Sequence, residues 1–327
     1  MLGLRHSYSR LSVLLATTIS ILFLNSCDLS DKRTVSYGRL IRIDKFDSQY
    51  VSSRNIEVWL PENYPNDEAY ATLYMHDGHA LFDRKKTWNH QEWGVDENVQ
   101  SLINNQKIRP VIVIGIWNSG RDRQSEYLPQ KPYENLTKKT RDSLLNKARI
   151  SESTDLFTVE IRSDQYLKFI TTELKPYIDK NFKTSTNNKN TFIAGSSFGG
   201  LISLYAVCEY PDIFGGAACL STHWTGTLTN LHTPIPGAME SYLNSNLPDP
   251  SNCVLYFDHG TLGLDSLYAP HQKRIDSVLI KKGFNESNWM TKVFKGADHL
   301  EKDWNQRLNI PLTFLLKPEF ESNPVHD

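Results

Sequence analysis

The chain is short of net charge, of cysteine and of apolar runs long enough to span a membrane. Its 36 basic and 37 acidic side chains balance to −1, so the total charge gives no reason to expect a nucleic-acid partner. Four cysteines form no C-x-x-C pair and no metal-ligand spacing, which excludes the usual structural zinc and dithiol redox sites. After Cys27, only Cys208, Cys219 and Cys253 remain; an odd count cannot pair completely, and apolar neighbours mark them as small buried hydrophobes. The sequence has neither a G-x-G-x-x-G nor a Gly-Lys-Ser/Thr, so a nucleotide-binding fold would lack its phosphate loop. No internal repeat and no second core are visible.

Hydrophobic residues make up 39% of 327 positions, enough for one large core. The N-terminal stretch stands apart from it. Arg5, His6 and Arg10 precede an apolar run from Leu11 to Leu24, ending at Leu24-Asn25-Ser26-Cys27. A basic start and an apolar stretch of that length make an export signal, and its end resembles a bacterial lipobox. The expected division is a lipoprotein signal over 1–26, a polar tether over 27–37 beginning at a lipidated Cys27, and one domain over 38–320. The expected location is the bacterial cell envelope, with membrane contact made through the lipid.

Eight short segments read as strands. Gly38–Ile43 and Asn55–Leu60 come first, and the second alternates as a one-face-exposed antiparallel pair would. Ala71–Met75 and Pro110–Ile116 follow, the second a continuous apolar run suited to burial on both faces. Thr191–Ala194, Gly215–Ser221, Asn252–Asp258 and Trp289–Phe294 complete the set, with helical patterns between them. This order predicts a single α/β domain: one mostly parallel, eight-stranded sheet with helices on both faces. Residues 130–162, rich in Lys131, Lys138, Lys139, Arg141, Lys147 and Arg149 and poor in core residues, read as a lid or binding loop.

The informative stretch is Thr191-Phe192-Ile193-Ala194-Gly195-Ser196-Ser197-Phe198-Gly199-Gly200. A strand, a tight G-x-S-x-G turn and a helix in succession are the nucleophile-elbow pattern of α/β-hydrolases. A serine hydroxyl is a weak nucleophile at neutral pH and needs an imidazole beside it and a carboxylate behind that. In this fold the acid and then the histidine follow the serine in the chain. His299, just after the last strand, fits as base. Asp258 and Asp265, both after the Asn252–Asp258 strand, fit as acid. The oxyanion donors expected are the backbone N–H of Phe198 and, beside Gly78, that of His79 or Ala80. Trp117, Arg123, His223 and Trp224 fall where the substrate should lie, as do Trp88 and Trp93.

Together, Leu73-Tyr74-Met75-His76-Asp77-Gly78-His79-Ala80-Leu81-Phe82-Asp83, Trp93-Gly94-Val95-Asp96-Glu97, Gly115-Ile116-Trp117-Asn118, Arg123-Gln124-Ser125-Glu126-Tyr127, the elbow, Gly260-Thr261 and Gly296-Ala297-Asp298-His299 resemble an esterase family of α/β-hydrolases. It includes enterochelin-esterase-like proteins, feruloyl and acetyl-xylan esterases, S-formylglutathione hydrolases and mycolyltransferases. The resemblance runs from about Ile56 to Leu316. It implies a serine esterase with Ser197 as nucleophile, His299 as base and no metal or organic cofactor. The family's acid usually follows a Gly-Thr, which favours Asp265; Leu262 stands where many members carry a glutamate. The resemblance implies a small-molecule or glycan ester as substrate. An acyltransferase, or a silent hydrolase fold used for binding, are the alternatives.

Overall fold

The computed structural model describes residues 34–150, 160–227 and 233–318. The expected signal peptide, the lipidation site Cys27 and most of the expected tether lie outside the described residues. No helix among the described residues is long and apolar enough to cross a membrane.

The strands are β1 (Arg39–Phe46), β2 (Arg54–Leu60), β3 (Ala71–His76), β4 (Val111–Ile116), β5 (Thr191–Ser196), β6 (Gly216–Leu220), β7 (Val254–His259) and β8 (Trp289–Val293). They form one sheet in the order β1-β2-β4-β3-β5-β6-β7-β8. Pairings β1–β2 and β2–β4 are antiparallel and the remainder parallel. The architecture is that of an α/β-hydrolase.

Alternation explains the apolar runs. In β4, Ile112, Ile114 and Ile116 enter the core on one face while Val111 and Val113 enter the core on the other. Successive side chains point to opposite faces, so a strand covered on both must be apolar throughout. The first face carries α2 (Arg123–Tyr127), α5 (Ser163–Phe169), α6 (Lys175–Asn181), α7 (Phe198–Glu209), α8 (Ile235–Asn246) and α9 (Ala269–Lys281); the second carries α1 (Val95–Asn104), α10 (Glu301–Arg307) and α11 (Asn309–Leu315). Helix α7 lies within the first core and is buried from Phe198 to Val207, which is why its sequence is apolar all round rather than along one stripe.

Two boundaries differ from expectation. The described end of the tether is fastened to the domain: Ser36 and Tyr37 donate their N–H groups to Asp96 (2.7 and 3.2 Å), and Trp59 Nε1 donates to the carbonyl of Tyr37 (2.8 Å). The basic segment is also more than a loop. It forms α3 (Gln130–Glu134) and α4 (Lys138–Ile150), and Tyr133, Leu144 and Ile161 are buried in the first core. Lys131 pairs with Glu209 of α7. Spaced apolar residues in a polar background suffice to dock short helices, and composition alone hides them. Residues 151–159 of the expected lid lie outside the described residues.

Candidate active site

Parallel pairing brings the C-terminal ends of the strands to one edge. Ser196, Leu220, Asp258 and Lys292 stand side by side there, and each loop leaving that edge delivers a polar residue to the same place. Ser197 follows β5 with φ 59° and ψ −124°, a conformation costing about 1–3 kcal/mol for a residue with a Cβ. Backbone bonds hold it. Its N–H donates to Leu220 (3.0 Å), and its carbonyl accepts from Gly200 (3.0 Å) and His223 (3.1 Å). A Cβ on Gly195 would lie 2.9 Å from the backbone of Gly199, so strand and helix pass this closely only because position 195 is glycine. Phe198 opens α7, whose first N–H groups have no intrahelical acceptor.

His299 lies in the loop after β8, its side chain 15% exposed. Its Nδ1 is 2.6 Å from Oδ1 of Asp265. The other carboxylate oxygen accepts from Ser221 Oγ (2.6 Å) and from the N–H of Gly260 (2.6 Å). Burial alone would raise the Asp265 carboxyl; the bonds from His299, Ser221 and Gly260 outweigh it and hold the group below the usual carboxylate range. Asp258, the other candidate acid, is fully buried and occupied elsewhere. Its oxygens meet Arg307 at 3.0 and 3.2 Å, the Tyr256 hydroxyl at 3.0 Å and the Ser221 N–H at 3.2 Å. Burial pushes its carboxyl up and Arg307 pulls it back.

A chain of ring contacts links Phe198, beside the nucleophile, to His299 through His223 and Tyr268. The His223 ring sits 4.7 Å from Phe198 and 5.8 Å from Tyr268, and Tyr268 sits 5.9 Å from His299. His223 is wholly buried, its ring nitrogens 2.7 Å from the Tyr268 hydroxyl and 3.2 Å from that of Thr225. Burial, with His299 nearby, lowers it to about 3, so it is neutral. It therefore supports the site from below instead of lining the substrate as expected. Trp224 departs in the same way: it is 1% exposed, packs on Phe257 and donates to Gln272 (3.0 Å). Ser221, at φ 42°, turns the chain back over the sheet, which folds both side chains inward. Trp93 is also core, against Trp304.

On the opposite side of the elbow, Asp77 takes a left-handed conformation (φ 57°) and heads a single tight turn, Gly78–Ala80. The Ala80 N–H donates to Asp77 within this turn (2.9 Å), which removes Ala80 as an oxyanion donor and leaves His79 to carry that expectation. Arg123 grips Asp77 with two bonds (2.7 and 2.6 Å), and Asn118 adds a third (2.7 Å). Burial would raise Asp77, but Arg123 holds its carboxyl far below the usual range. Arg123, expected to line the substrate, thus braces the loop that carries His79. Trp117 packs against His79, ring centres 6.0 Å apart, with Arg42 over its ring at 4.7 Å. Trp88 is 84% exposed.

The residues that sequence reasoning missed are Ser221, Trp304 and Arg307. Their only sequence signal is Arg307, a charged residue on a helix whose neighbours Trp304 and Leu308 are core. No group of three or more His, Cys, Asp or Glu among the described residues could hold a metal.

A positive-φ serine at a strand-to-helix elbow, with a buried aspartate on a histidine beyond the last strand, defines an α/β-hydrolase of the serine-hydrolase kind. Residues 50–312 match the model of the family described as "Putative esterase". The chain belongs to that family: it is an enzyme of the esterase class. The uncharacterized protein YbbA of Bacillus subtilis (strain 168) is 23% identical over 256 residues, 76% of this chain and 87% of that one. Among solved structures, the enterobactin esterase FES of Shigella flexneri superposes with a TM-score of 0.62 at 16% identity, covering 88% of this chain and 61% of that one. This chain thus spans under two thirds of that enzyme. A ferulic acid esterase gives 0.60 at 16%, covering 85% and 98%. An IroE-like serine hydrolase from Shewanella oneidensis gives 0.59 at 19%, covering 85% and 78%. These likenesses carry the fold.

Proposed function

We propose that the protein hydrolyses carboxylic esters through an acyl-enzyme on Ser197. In this reading His299 takes the hydroxyl proton as Ser197 Oγ attacks the acyl carbon. Asp265 fixes the tautomer that leaves Nε2 able to accept, and stabilises the imidazolium. The N–H groups of Phe198 and His79 face the oxygen on which negative charge develops. His299 then protonates the departing alcohol, and water repeats the sequence to release the acid. The single observation that carries the reading is the 2.6 Å contact between Asp265 and His299, at the same sheet edge as the strained Ser197.

Small esters, with or without a sugar alcohol, are the proposed substrate class. Structures named for enterobactin and for ferulic acid support trying esters that carry an aromatic group first, and the exposed Trp88 and half-buried Trp117 offer flat faces to such groups. Hydrolysis of p-nitrophenyl acetate and butyrate by the wild type and by Ser197→Ala tests the reaction. Turnover in the first and its loss in the second supports the proposal; turnover retained by the variant contradicts it. Repeating the assay with an added alcohol separates hydrolase from acyltransferase by the product formed.

The lipid anchor at Cys27 and an envelope location are proposed with it, on the sequence signal alone. Intact mass of the membrane-extracted protein tests the anchor, which an unmodified Cys27 contradicts; cell fractionation tests the location, which recovery in the cytoplasm contradicts.

A further inference from the structure

We propose that Ser221 is a positioning residue for the acid of this site, held in one orientation by Trp304 and Arg307. The proposal rests on the assignment of Asp265 and His299 above. A serine hydroxyl has one proton to give and two lone pairs. At Ser221 all three are committed. Trp304 Nε1 and Arg307 Nη2, each 2.9 Å from Ser221 Oγ, can only donate. Both lone pairs are thereby used, and the one proton must point at Asp265 Oδ2, 2.6 Å away. The direction of that bond follows from the chemistry of its neighbours.

The arrangement is buried. Ser221, Asp258 and Asp265 are 0% exposed, and Arg307 and Trp304 are 3% and 5%. Arg307 is balanced there chiefly by Asp258, which faces it through two bonds (3.0 and 3.2 Å). Asp258, the rejected candidate acid, is the counter-ion of the group that orients Ser221. Arg307 also stands 3.8 Å from Asp265 Oδ2. Trp304 acts twice: its ring packs edge-on against His299 (5.1 Å) while its N–H fixes Ser221. Trp304 and Arg307 lie three positions apart on α10, so one helix face delivers both donors. That helix begins two residues after His299, which ties base and acid to the same rigid piece.

With Oδ2 held by Ser221 and by Gly260, the carboxylate cannot rotate, and Oδ1 stays in line with His299. Without Ser221 the carboxylate has one anchor on that side, and two buried donors lose their acceptor.

The test compares Ser221→Ala and Trp304→Phe with the wild type on one p-nitrophenyl ester, with thermal melts. It adds the far-downfield proton NMR resonance of the His299 Nδ1–H. The expected result for Ser221→Ala is a cooperative melt, kcat lower by about 10-fold or more, KM within about two-fold, and a displaced resonance. Trp304→Phe keeps an aromatic ring but loses the indole N–H and part of the ring's volume; it should show the same changes, smaller. Either wild-type kcat or an unmoved resonance in folded Ser221→Ala overturns the proposal. Should Ser221→Ala not fold, the same criteria applied to Trp304→Phe decide. Fluorophosphonate labelling of the wild type separates the two levels. An unlabelled Ser197 overturns the esterase reading and this proposal with it, whereas labelled Ser197 with unaffected variants overturns this proposal alone.

Discussion

Asp265 and His299 meet at 2.6 Å across 34 residues of chain, while Asp258, at the end of β7, faces away to Arg307. The two aspartates are seven positions apart and equally buried, yet they do different work. Asp258 sits on a strand whose alternation fixes its direction. Asp265 sits on a tight turn beyond Gly260-Thr261, at the His299 loop.

The difference predicts opposite phenotypes. Asp265→Asn should lower turnover by about 10²–10⁴-fold with little change in melting temperature. Asp258→Asn should destabilise by about 3–5 kcal/mol, because Arg307 is left buried without its counter-ion. Parallel melts and kinetics with one activated ester check this, and a reversal of the two phenotypes contradicts it.

The segment from Tyr133 to Arg149 belongs to the stretch whose composition reads as a lid or binding loop, with an effect on substrate range rather than stability. With Tyr133 and Leu144 in the core, its deletion should lower the melting temperature by several degrees. Unchanged stability with altered substrate range would support the loop reading instead.

Acid should destabilise the fold through two buried imidazoles. His76, bonded to Tyr166 (2.8 Å), and His223 are both lowered by burial to about 3. Between the ordinary histidine value near 6.5 and 3, the unfolded chain binds protons that the folded chain refuses. Stability is therefore present above about 6.5 and is lost as pH falls toward 3. Melts of His76→Gln across that range should fall less steeply than those of the wild type; parallel slopes contradict the assignment.

Asp96 works in the other direction. Burial, then a shared bond with Glu97, raises its carboxyl to about 7, so the folded state binds the extra proton and stability declines as pH rises from about 4 toward 7. Asn at this position can still accept from Ser36 and can donate to Glu97. Asp96→Asn should therefore raise the melting temperature at pH 8 by about 2–4 °C relative to wild type, with a smaller difference at pH 5. Equal differences at both pH values contradict this.

Much of the frame could be read from residues alone, because apolar runs, Gly195-x-Ser197-x-Gly199 and the late His299 are local signals. The Ser221 network could not. It joins residues 83 and 86 positions apart, and a serine after a small-residue strand carries no sign of which atoms will surround it. His223 and Trp224 were misplaced for a related reason: position after a strand end gives a loop, but only the backbone turn at Ser221 decides that both rings point inward. Arg123 likewise looked free until Asp77 took its left-handed turn.

The central claim is that Ser197 is the activated nucleophile. The direct measurement is peptide mapping after reaction with a fluorophosphonate probe, on the wild type and on His299→Ala. This role for Ser197 predicts one adduct, on Ser197, formed rapidly in the wild type and at least about 10³-fold more slowly without the histidine. No adduct, an adduct on another residue, or equal labelling in both proteins would contradict it.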